Sequence, residues 1–195
     1  DPEGDVGERL LALVHTFSGL DFPAGRRAGI ERPIQAALQR LEVVSVAELV
    51  HHLSAPEHRH DLEDIVASLT IGETHFFRNH PQIDALRTVI LPELIARRRQ
   101  ERTLRIWSAG CSSGEEAYSV AIALDMLLPS RAQWNITLRG TDINEQALVR
   151  ARSASYSEWS FRGVPKDVRA RYFEPEGRRF RLKSWIREMV EFEYL

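Results

Sequence analysis

The sequence is poor in cysteine, in lysine and in long apolar runs, and each shortage excludes a class of protein. Cys111 is the one cysteine among 195 residues, which excludes a disulfide framework and a zinc site built on several thiolates. No stretch approaches the roughly 18 uninterrupted apolar residues of a membrane span. Residues 1–25 lack the basic start and apolar run of a secretory signal. We therefore expect a cytoplasmic protein without membrane insertion.

Basic charge is almost entirely arginine, because Lys166 and Lys183 are the only lysines among 26 basic residues. The 28 acidic residues outnumber them, and a formal charge of −2 does not support a nucleic-acid partner. The charge is uneven along the chain, at −6 for residues 1–70 and +4 for residues 71–195. This asymmetry indicates two regions with different tasks.

The first 70 residues have the apolar spacing of amphipathic helices. Apolar side chains recur at steps of three and four, at Val6, Leu10, Leu13, Val14 and Phe17, at Ile30, Ile34, Leu38 and Leu41, and at Leu62, Ile65, Val66 and Leu69. Ser45 and Glu48 form a capping-box pair that predicts a helix over Val46–Leu53. Pro33 indicates that the second helix starts near it or bends there. We predict a helical domain over residues 1–70.

Beyond a connector at Thr70–Pro81, strands alternate with helices. A helix is predicted from Pro81 toward Arg99, with a break at Pro92. The tail from Arg178 alternates apolar and polar residues, with apolar side chains at Phe180, Leu182 and Trp185, and a further strand is predicted at Met189–Leu195. Between them we predict a strand at Thr103–Ala109, a turn at Gly110–Gly114, a helix at Glu115–Leu128, a strand at Asn135–Thr141 and a helix from Asn144 to about Arg152. The order strand, helix, strand, helix predicts a parallel sheet.

The small residues of Gly110–Gly114 join the first strand to a helix. Such a loop lets a ligand approach the backbone beside unpaired N–H groups at the helix start. The loop is neither G-x-G-x-x-G nor a Walker loop, and Glu115 and Glu116 would repel a pyrophosphate. The two acids also suit any helix N-terminus, so a purely structural turn stays open as an alternative.

Asp142 directly follows the second predicted strand. In an open parallel sheet, ligands lie beyond the carboxyl ends of the strands, and an acid there accepts hydrogen bonds from both ribose hydroxyls. Together with the glycine loop, Asp142 predicts a ligand that contains adenosine. The alternative is that Asp142 only caps the next helix, although Asn144 can do this alone.

In the connector, Thr74 and Arg78 flank two aromatic residues, Phe76 and Phe77. The rings are expected to pin the connector to a core and to fix Arg78, whose guanidinium could then hold a carboxylate in bidentate fashion. The alternative is a structural arginine paired with a nearby acid.

Four motifs in register give the chain a resemblance to the CheR family of chemotaxis protein methyltransferases. They are Thr74-x-Phe-Phe-Arg78, Trp107-Ser-Ala-Gly-Cys-Ser-Ser-Gly-Glu-Glu-Ala-Tyr-Ser119, Gly140-Thr-Asp-Ile-Asn144 and Met189-Val-Glu-Phe192. The resemblance implies an α/β fold with a helical receptor-docking domain at 1–70, a connector at 71–84 and a Rossmann-like, S-adenosylmethionine-binding methyltransferase domain with a mainly parallel sheet at 85–195.

The family methylates glutamate side chains on chemoreceptors, with S-adenosylhomocysteine as the second product. The resemblance implies cofactor contacts from Thr74, Arg78, Glu116 and Asp142, a catalytic role for Arg78 in orienting the substrate, and no metal. It also implies a cytoplasmic, acidic helical receptor bundle as partner. Two alternatives remain, a non-catalytic scaffold or sensor that keeps the cofactor loop, and a nicotinamide-dependent oxidoreductase, which the glycine spacing disfavours.

Three departures from the family pattern alter these expectations. Gly72 replaces an asparagine, so a side-chain contact to the cofactor is lost. The second helix region has only Arg26, Arg27, Arg32 and Arg40 against Glu31, so receptor docking is expected to be weaker or differently aimed. The family pattern continues past Leu195 with an Asn-Leu pair, further strands and a small β subdomain. Residues 1–195 alone are therefore expected to be inactive, to bind S-adenosylhomocysteine weakly, and to expose their newest strand as a free edge.

Overall fold

The computed structural model describes residues 2–23, 29–70, 72–128 and 130–195. The chain divides into two compact units, Asp1–Ile71 and Gly72–Leu195. Among the described residues, no helix combines the length and the apolar character that crossing a membrane requires.

The first unit is made of helices, as the apolar spacing predicts. They are α1 (Pro2–Ser18), α2 (Glu31–Arg40), α3 (Val46–Leu53) and α4 (Arg59–Leu69). Their apolar stripes meet in a core in which Leu10, Val14, Leu49, Ile65 and Val66 are almost completely buried. Because each stripe buries one helix face, the unit needs no strand to form a core.

Two local signals in the first unit are confirmed. Pro33 lies in the first turn of α2, which begins at Glu31, and there the missing proline N–H removes no intrahelical hydrogen bond. Ser45 Oγ accepts a hydrogen bond from Glu48 N at 3.2 Å, and the Glu48 carboxylate accepts one from Val44 N at 3.0 Å. This reciprocal pair satisfies two backbone donors at the start of α3.

The second unit contains the alternation of helices and strands. Its helices are α5 (His80–Ala85), α6 (Leu91–Arg97), α7 (Glu115–Leu127), α8 (Glu145–Ser153), α9 (Lys166–Tyr172) and α10 (Ser184–Arg187). Its strands are β1 (Thr103–Ala109), β2 (Asn135–Asp142), β3 (Ser155–Tyr156), β4 (Phe173–Glu176), β5 (Arg179–Leu182) and β6 (Val190–Tyr194). The helix does not break at Pro92, which lies in the first turn of α6; instead a π-helical turn, Leu86–Ile90, comes just before α6.

The main sheet has the order β1-β2-β6, and both pairings are parallel. The predicted fold class is therefore confirmed. Helices α7 and α8 pack on one face of the sheet, where Leu104, Leu138 and Val190 are buried. Among the described residues, β2 is the central strand of this sheet and β1 and β6 are its outer strands.

The opposite face of the sheet is largely polar, but it also carries two exposed apolar side chains, Trp107 at 63% and Leu195 at 65%. Its residues line an open groove of about 480 Å³. Trp107 Nε1 donates to Thr141 Oγ1 at 3.0 Å, so the indole lies against its neighbouring strand.

The tail is more complex than predicted. The final strand is confirmed as β6, but the alternation before it belongs to β5, which lies in a second, antiparallel sheet of order β3-β5-β4, and α10 separates β5 from β6. Gly177, at φ +61°, makes the tight turn between β4 and β5. The apparent single run is therefore a hairpin strand, a helical turn and a strand of the main sheet.

Candidate functional site

The glycine loop and Asp142, the last residue of β2, lie at the same edge of the main sheet. Gly110 and Gly114 adopt φ angles of +68° and +90°, which lets the chain turn sharply from β1 into α7. Cys111 N donates to Thr141 O at 2.9 Å and joins this turn to the end of β2. The structure thus brings the predicted loop beside Asp142, at the carboxyl ends of parallel strands, where ligands bind in such sheets.

The Asp142 carboxylate joins the glycine loop to the turn between β2 and α8. Its Oδ2 accepts a hydrogen bond from Ser112 N at 2.7 Å, and its Oδ1 accepts one from Asn144 N at 2.8 Å. The side chain of Asn144 alone caps α8, because its Oδ1 accepts from Ala147 N at 3.0 Å. Asp142 is therefore not the helix cap, and each of its oxygens keeps a lone pair with which to accept a further hydrogen bond.

Two consecutive glutamates at the start of α7 have different surroundings. Glu115 is 3% exposed and accepts hydrogen bonds from Ser113 Oγ at 2.7 Å and Ser160 Oγ at 2.9 Å. Glu116 is exposed, and its Oε1 accepts from Ser108 Oγ at 2.7 Å, at the end of β1. The carboxylate open to a ligand is thus that of Glu116, while Glu115 is used inside the fold.

The predicted aromatic anchor of the connector is confirmed for Phe76. This ring is fully buried; it stacks on Phe161 at a centroid distance of 5.4 Å and makes edge-to-face contacts with Tyr156 and Phe173, both at 4.9 Å. Phe77 is partly buried, and its N–H donates to Ser119 Oγ on α7 at 2.9 Å. These contacts fix the backbone just before Arg78.

Arg78 is exposed, and its Nη1 donates to the main-chain oxygen of Glu73. The Glu73 carboxylate instead contacts Arg162 at 2.9 Å. In the described part of the chain, no carboxylate forms an ion pair with Arg78, so the alternative of a structural arginine paired with a nearby acid is not what the structure shows. The guanidinium is held near its own backbone, on the outside of the unit.

The connector reaches the glycine loop through its main chain. Ser112 Oγ donates to Gly72 O at 3.2 Å. Thr74 is partly buried two residues later. Among the described residues, neither Thr74 nor Arg78 has a direct hydrogen bond to the loop or to Asp142, so the structure brings the connector backbone to the site and leaves these two side chains at its margin.

Sequence reasoning missed Tyr156, whose hydroxyl donates to Ser113 O at 2.8 Å. Burial raises the pKa of the Tyr156 phenol well above its ordinary value, so it remains a hydrogen-bond donor at neutral pH. The contact joins residues 43 positions apart, and no local pattern marks it. Tyr156 and Glu115 therefore both fix the glycine loop through hydrogen bonds with Ser113.

Cys111 is part of the packing of this loop. Burial, with the negative charge of Asp142, raises the pKa of its thiol to about 12. A thiol in this setting is not a nucleophile near neutral pH. Cys111 therefore has a packing role in the site and not a chemical one.

Comparisons with known proteins identify the same region. Residues 72–195 match the CheR methyltransferase, SAM-binding domain family. A chemotaxis protein methyltransferase of Borreliella burgdorferi is 28% identical over 195 residues, covering 98% of this chain and 69% of that protein. Chemotaxis protein methyltransferase Cher2 of Pseudomonas putida is 31% identical over 190 residues, covering 95% of this chain and 69% of that protein.

The match and the geometry agree, because the matched segment contains the glycine loop, Glu116, Asp142 and the aromatic connector. The family binds S-adenosylmethionine, which fits the predicted adenosine-containing ligand. The chain therefore belongs to the CheR methyltransferase family, and residues 72–195 are its S-adenosylmethionine-binding domain.

Proposed function

We propose that this methyltransferase forms methyl esters on glutamate side chains of a chemoreceptor or a receptor-like signalling protein in the cytoplasm. The observation that carries the proposal is the hydrogen bond from Ser112 N to Asp142 Oδ2, at 2.7 Å. It joins the glycine loop and the acid into one wall of a pocket where a nucleoside can bind. The names of the relatives support chemotaxis as the setting.

The residues of this wall fit the cofactor. S-adenosylmethionine supplies a methyl group on a sulfonium cation, and it also carries an ammonium group and a ribose diol. Carboxylates suit these groups, and both Glu116 and Asp142 lie at this edge of the sheet. A Cβ at Gly110 would meet no atom within 4 Å, so the space beside the loop is open. An anionic pyrophosphate would be repelled by the same acids.

The individual roles are proposed from the family motif, and burial and position support them. Asp142 accepts hydrogen bonds from the ribose hydroxyls with its remaining lone pairs, and Glu116 holds a cationic or hydroxyl group of the ligand. Thr74 adds a contact from the connector. Glu116 and Asp142 lie at the edge of the sheet that carries the glycine loop, and Thr74 comes two residues after Gly72, whose main-chain oxygen contacts that loop.

The substrate carboxylate needs positioning more than activation. With a reference pKa of about 4.3, a glutamate is already ionised at neutral pH, so no general base is required. Holding a nucleophile in line with its electrophile supplies roughly 7–11 kcal/mol. Arg78 is the proposed catalytic residue, because its guanidinium is exposed and Phe76 fixes the segment that carries it.

The helical unit is the proposed docking domain for an acidic helical bundle. Arg32 is exposed on α2, whereas Arg26 and Arg27 lie outside the described residues. Arg40 contacts Asp61 at 3.3 Å and Asp64 at 2.9 Å. Of the four arginines expected to face the partner, Arg40 is therefore removed, because Asp61 and Asp64 already balance its charge within the unit.

The test is transfer of a radiolabelled methyl group from S-adenosylmethionine to a purified receptor signalling bundle by the intact protein. The proposal expects a base-labile label, released as methanol, that is lost when the acceptor glutamates are replaced by alanine. Titrations with S-adenosylhomocysteine and NADH are run in parallel. Binding of S-adenosylhomocysteine without ester formation would indicate a cofactor-binding scaffold, and a base-stable label would exclude the methyl ester.

A further inference from the structure

Histidine is concentrated in the helical unit in a way that the methyltransferase reaction does not use. Four of the seven histidines lie between positions 51 and 60, at His51, His52, His58 and His60. The end of α3 and the start of α4 bring two of them together with Asp61. We call His52, His58 and Asp61 the histidine cluster. Their ligand atoms all lie within 4.8 Å of one another.

Both imidazoles of the cluster face the same oxygen. His52 Nε2 lies 2.8 Å from Asp61 Oδ2, and His58 Nδ1 lies 3.7 Å from that same atom. The two rings stack at a centroid distance of 3.6 Å. A hydrogen bond between His52 and Asp61 explains one of these contacts. The spacing of three residues brings His58 beside Asp61 as well, so two ring nitrogens lie next to one carboxylate oxygen.

We propose that the histidine cluster is a binding site for a divalent transition-metal ion of the Zn²⁺ type. The bond lengths of Zn²⁺, about 2.0–2.2 Å to nitrogen and oxygen, place neighbouring ligand atoms about 3.3 Å apart in a tetrahedron. The two observed separations, 2.8 and 3.7 Å, lie on either side of that value. Binding replaces the hydrogen bond between His52 and Asp61 and rotates the stacked rings toward the ion.

The outer contacts suit this role. Arg40 Nη1 lies 3.3 Å from Asp61 Oδ1 and 2.9 Å from Asp64 Oδ2. The guanidinium therefore holds the oxygen of Asp61 that faces away from the histidines and leaves Oδ2 directed at them. Outer partners that orient a ligating carboxylate in this way strengthen metal sites.

The ligand chemistry selects the class of ion. Two imidazole nitrogens and one carboxylate oxygen suit Zn²⁺, Co²⁺, Ni²⁺ and Cu²⁺, whereas Mg²⁺ and Ca²⁺ prefer oxygen ligands alone. Side-chain exposures of 22–39% leave the cluster open enough for an ion to enter and for water to complete its coordination. The bound ion would join α3 to α4 and stiffen the helical unit.

The experiment is calorimetric titration of the metal-free protein with Zn²⁺, together with the visible absorption spectrum of the Co²⁺-loaded protein. We expect one equivalent of Zn²⁺ to bind, and no heat of binding with Mg²⁺. H52Q and H58Q should each weaken binding by at least about tenfold, since even the loss of an outer contact commonly has that effect. H60Q is the matched control, because His60 is fully exposed and contacts Glu63 at 3.0 Å instead.

The controls keep the proposal falsifiable. Circular dichroism verifies that each variant is folded, and D61N, which removes one anionic ligand with little change of shape, provides an independent second test. The proposal is wrong if the protein binds no Zn²⁺, or if H60Q weakens binding as much as H58Q does. Neither result depends on methyl transfer, so the metal site and the proposed function are tested independently.

Discussion

The Glu115 carboxylate and the Ser160 hydroxyl meet inside the second unit, with 2.9 Å between Oε1 and Oγ. The same carboxylate accepts from Ser113 Oγ, and the main-chain oxygen of Glu115 accepts from Ser119 Oγ at 2.6 Å. Ser119 Oγ in turn accepts from Phe77 N. One buried glutamate therefore links the glycine loop, the first turn of α7, the turn at Ser160 and the aromatic connector.

Replacing Glu115 should mainly lower the stability of the fold, whereas replacing Glu116 should mainly weaken ligand binding. Glu115→Ala removes a buried acceptor from two hydroxyls and should lower the free energy of unfolding by about 2–4 kcal/mol. Glu116→Ala should change it by less than about 1 kcal/mol but weaken S-adenosylhomocysteine binding. Urea denaturation and calorimetry distinguish the two. Equal effects of the two substitutions on stability would contradict the assigned surroundings.

Asp142→Ala should weaken S-adenosylhomocysteine binding by about 1.5–3 kcal/mol, the range for lost hydrogen bonds to a charged group. It also releases Ser112 N and Asn144 N, so the loop itself should become less ordered. Asp142→Asn keeps one oxygen acceptor and should have an intermediate affinity. Calorimetry on the intact protein measures both, and an unchanged affinity in the alanine variant would remove Asp142 from the site.

Replacing glycine by alanine should lower the stability of the fold at Gly140 and raise it at Gly7. A Cβ at Gly140 would lie 2.7 Å from Phe192 Cε1 and 3.1 Å from Cys111 Sγ, so Gly140→Ala should destabilise by about 1–3 kcal/mol. At Gly7, within α1, a Cβ meets no atom within 4 Å, and Gly7→Ala should stabilise by about 0.5–1 kcal/mol. Thermal unfolding is the measurement. A neutral Gly140→Ala would show that Phe192 can move aside.

Arg78→Lys should separate charge from geometry at the proposed catalytic position. Lysine keeps the positive charge but cannot make the two parallel hydrogen bonds of a guanidinium to a carboxylate. We expect methyl transfer to fall by about tenfold or more while the fold is unchanged, because Arg78 is exposed. Initial rates with a receptor substrate provide the measurement. Full activity in the lysine variant would exclude the bidentate role.

Cys111 should report on unfolding. With a pKa raised to about 12 and 1% exposure, its thiol should react with iodoacetamide about a hundredfold or more slowly in the folded protein than in denaturant. Raising the pH from 7 to 9 should accelerate labelling of the denatured chain, since its thiol then ionises, and leave the folded protein almost unreactive. Mass spectrometry follows the reaction, and rapid labelling of the native protein would be inconsistent with this packing.

Much of the site was predictable because its signals are local. Strand β1, the small residues of Gly110–Gly114 and the acid that ends β2 follow one another in an order that specifies a parallel sheet with a ligand loop. The helix caps at Ser45 and Asn144 depend on contacts three residues away and were equally accessible. Patterns of this kind join residues that are close in sequence, so the local sequence is enough to predict the contact.

The features that the sequence analysis missed have different causes. Nothing beside Glu115 indicates that it turns inward toward Ser160, 45 residues away, while Glu116 turns outward. The small antiparallel sheet was missed because β3 has two residues and β4 is mostly exposed, so neither shows a clear alternation. The histidine cluster had a compositional signal, the histidine-rich tract at 51–60, which indicates metal binding when taken alone.

The two backbone hydrogen bonds on Asp142 have a kinetic consequence. Its carboxylate is oriented by Ser112 and Asn144 before any ligand arrives, so complex formation need not wait for this side chain to find its rotamer. Mixing the protein rapidly with S-adenosylhomocysteine should then produce a single exponential whose rate rises linearly with ligand concentration, with no plateau from a slow rearrangement. Differences in affinity among ligands that this carboxylate holds would lie mainly in how fast they leave.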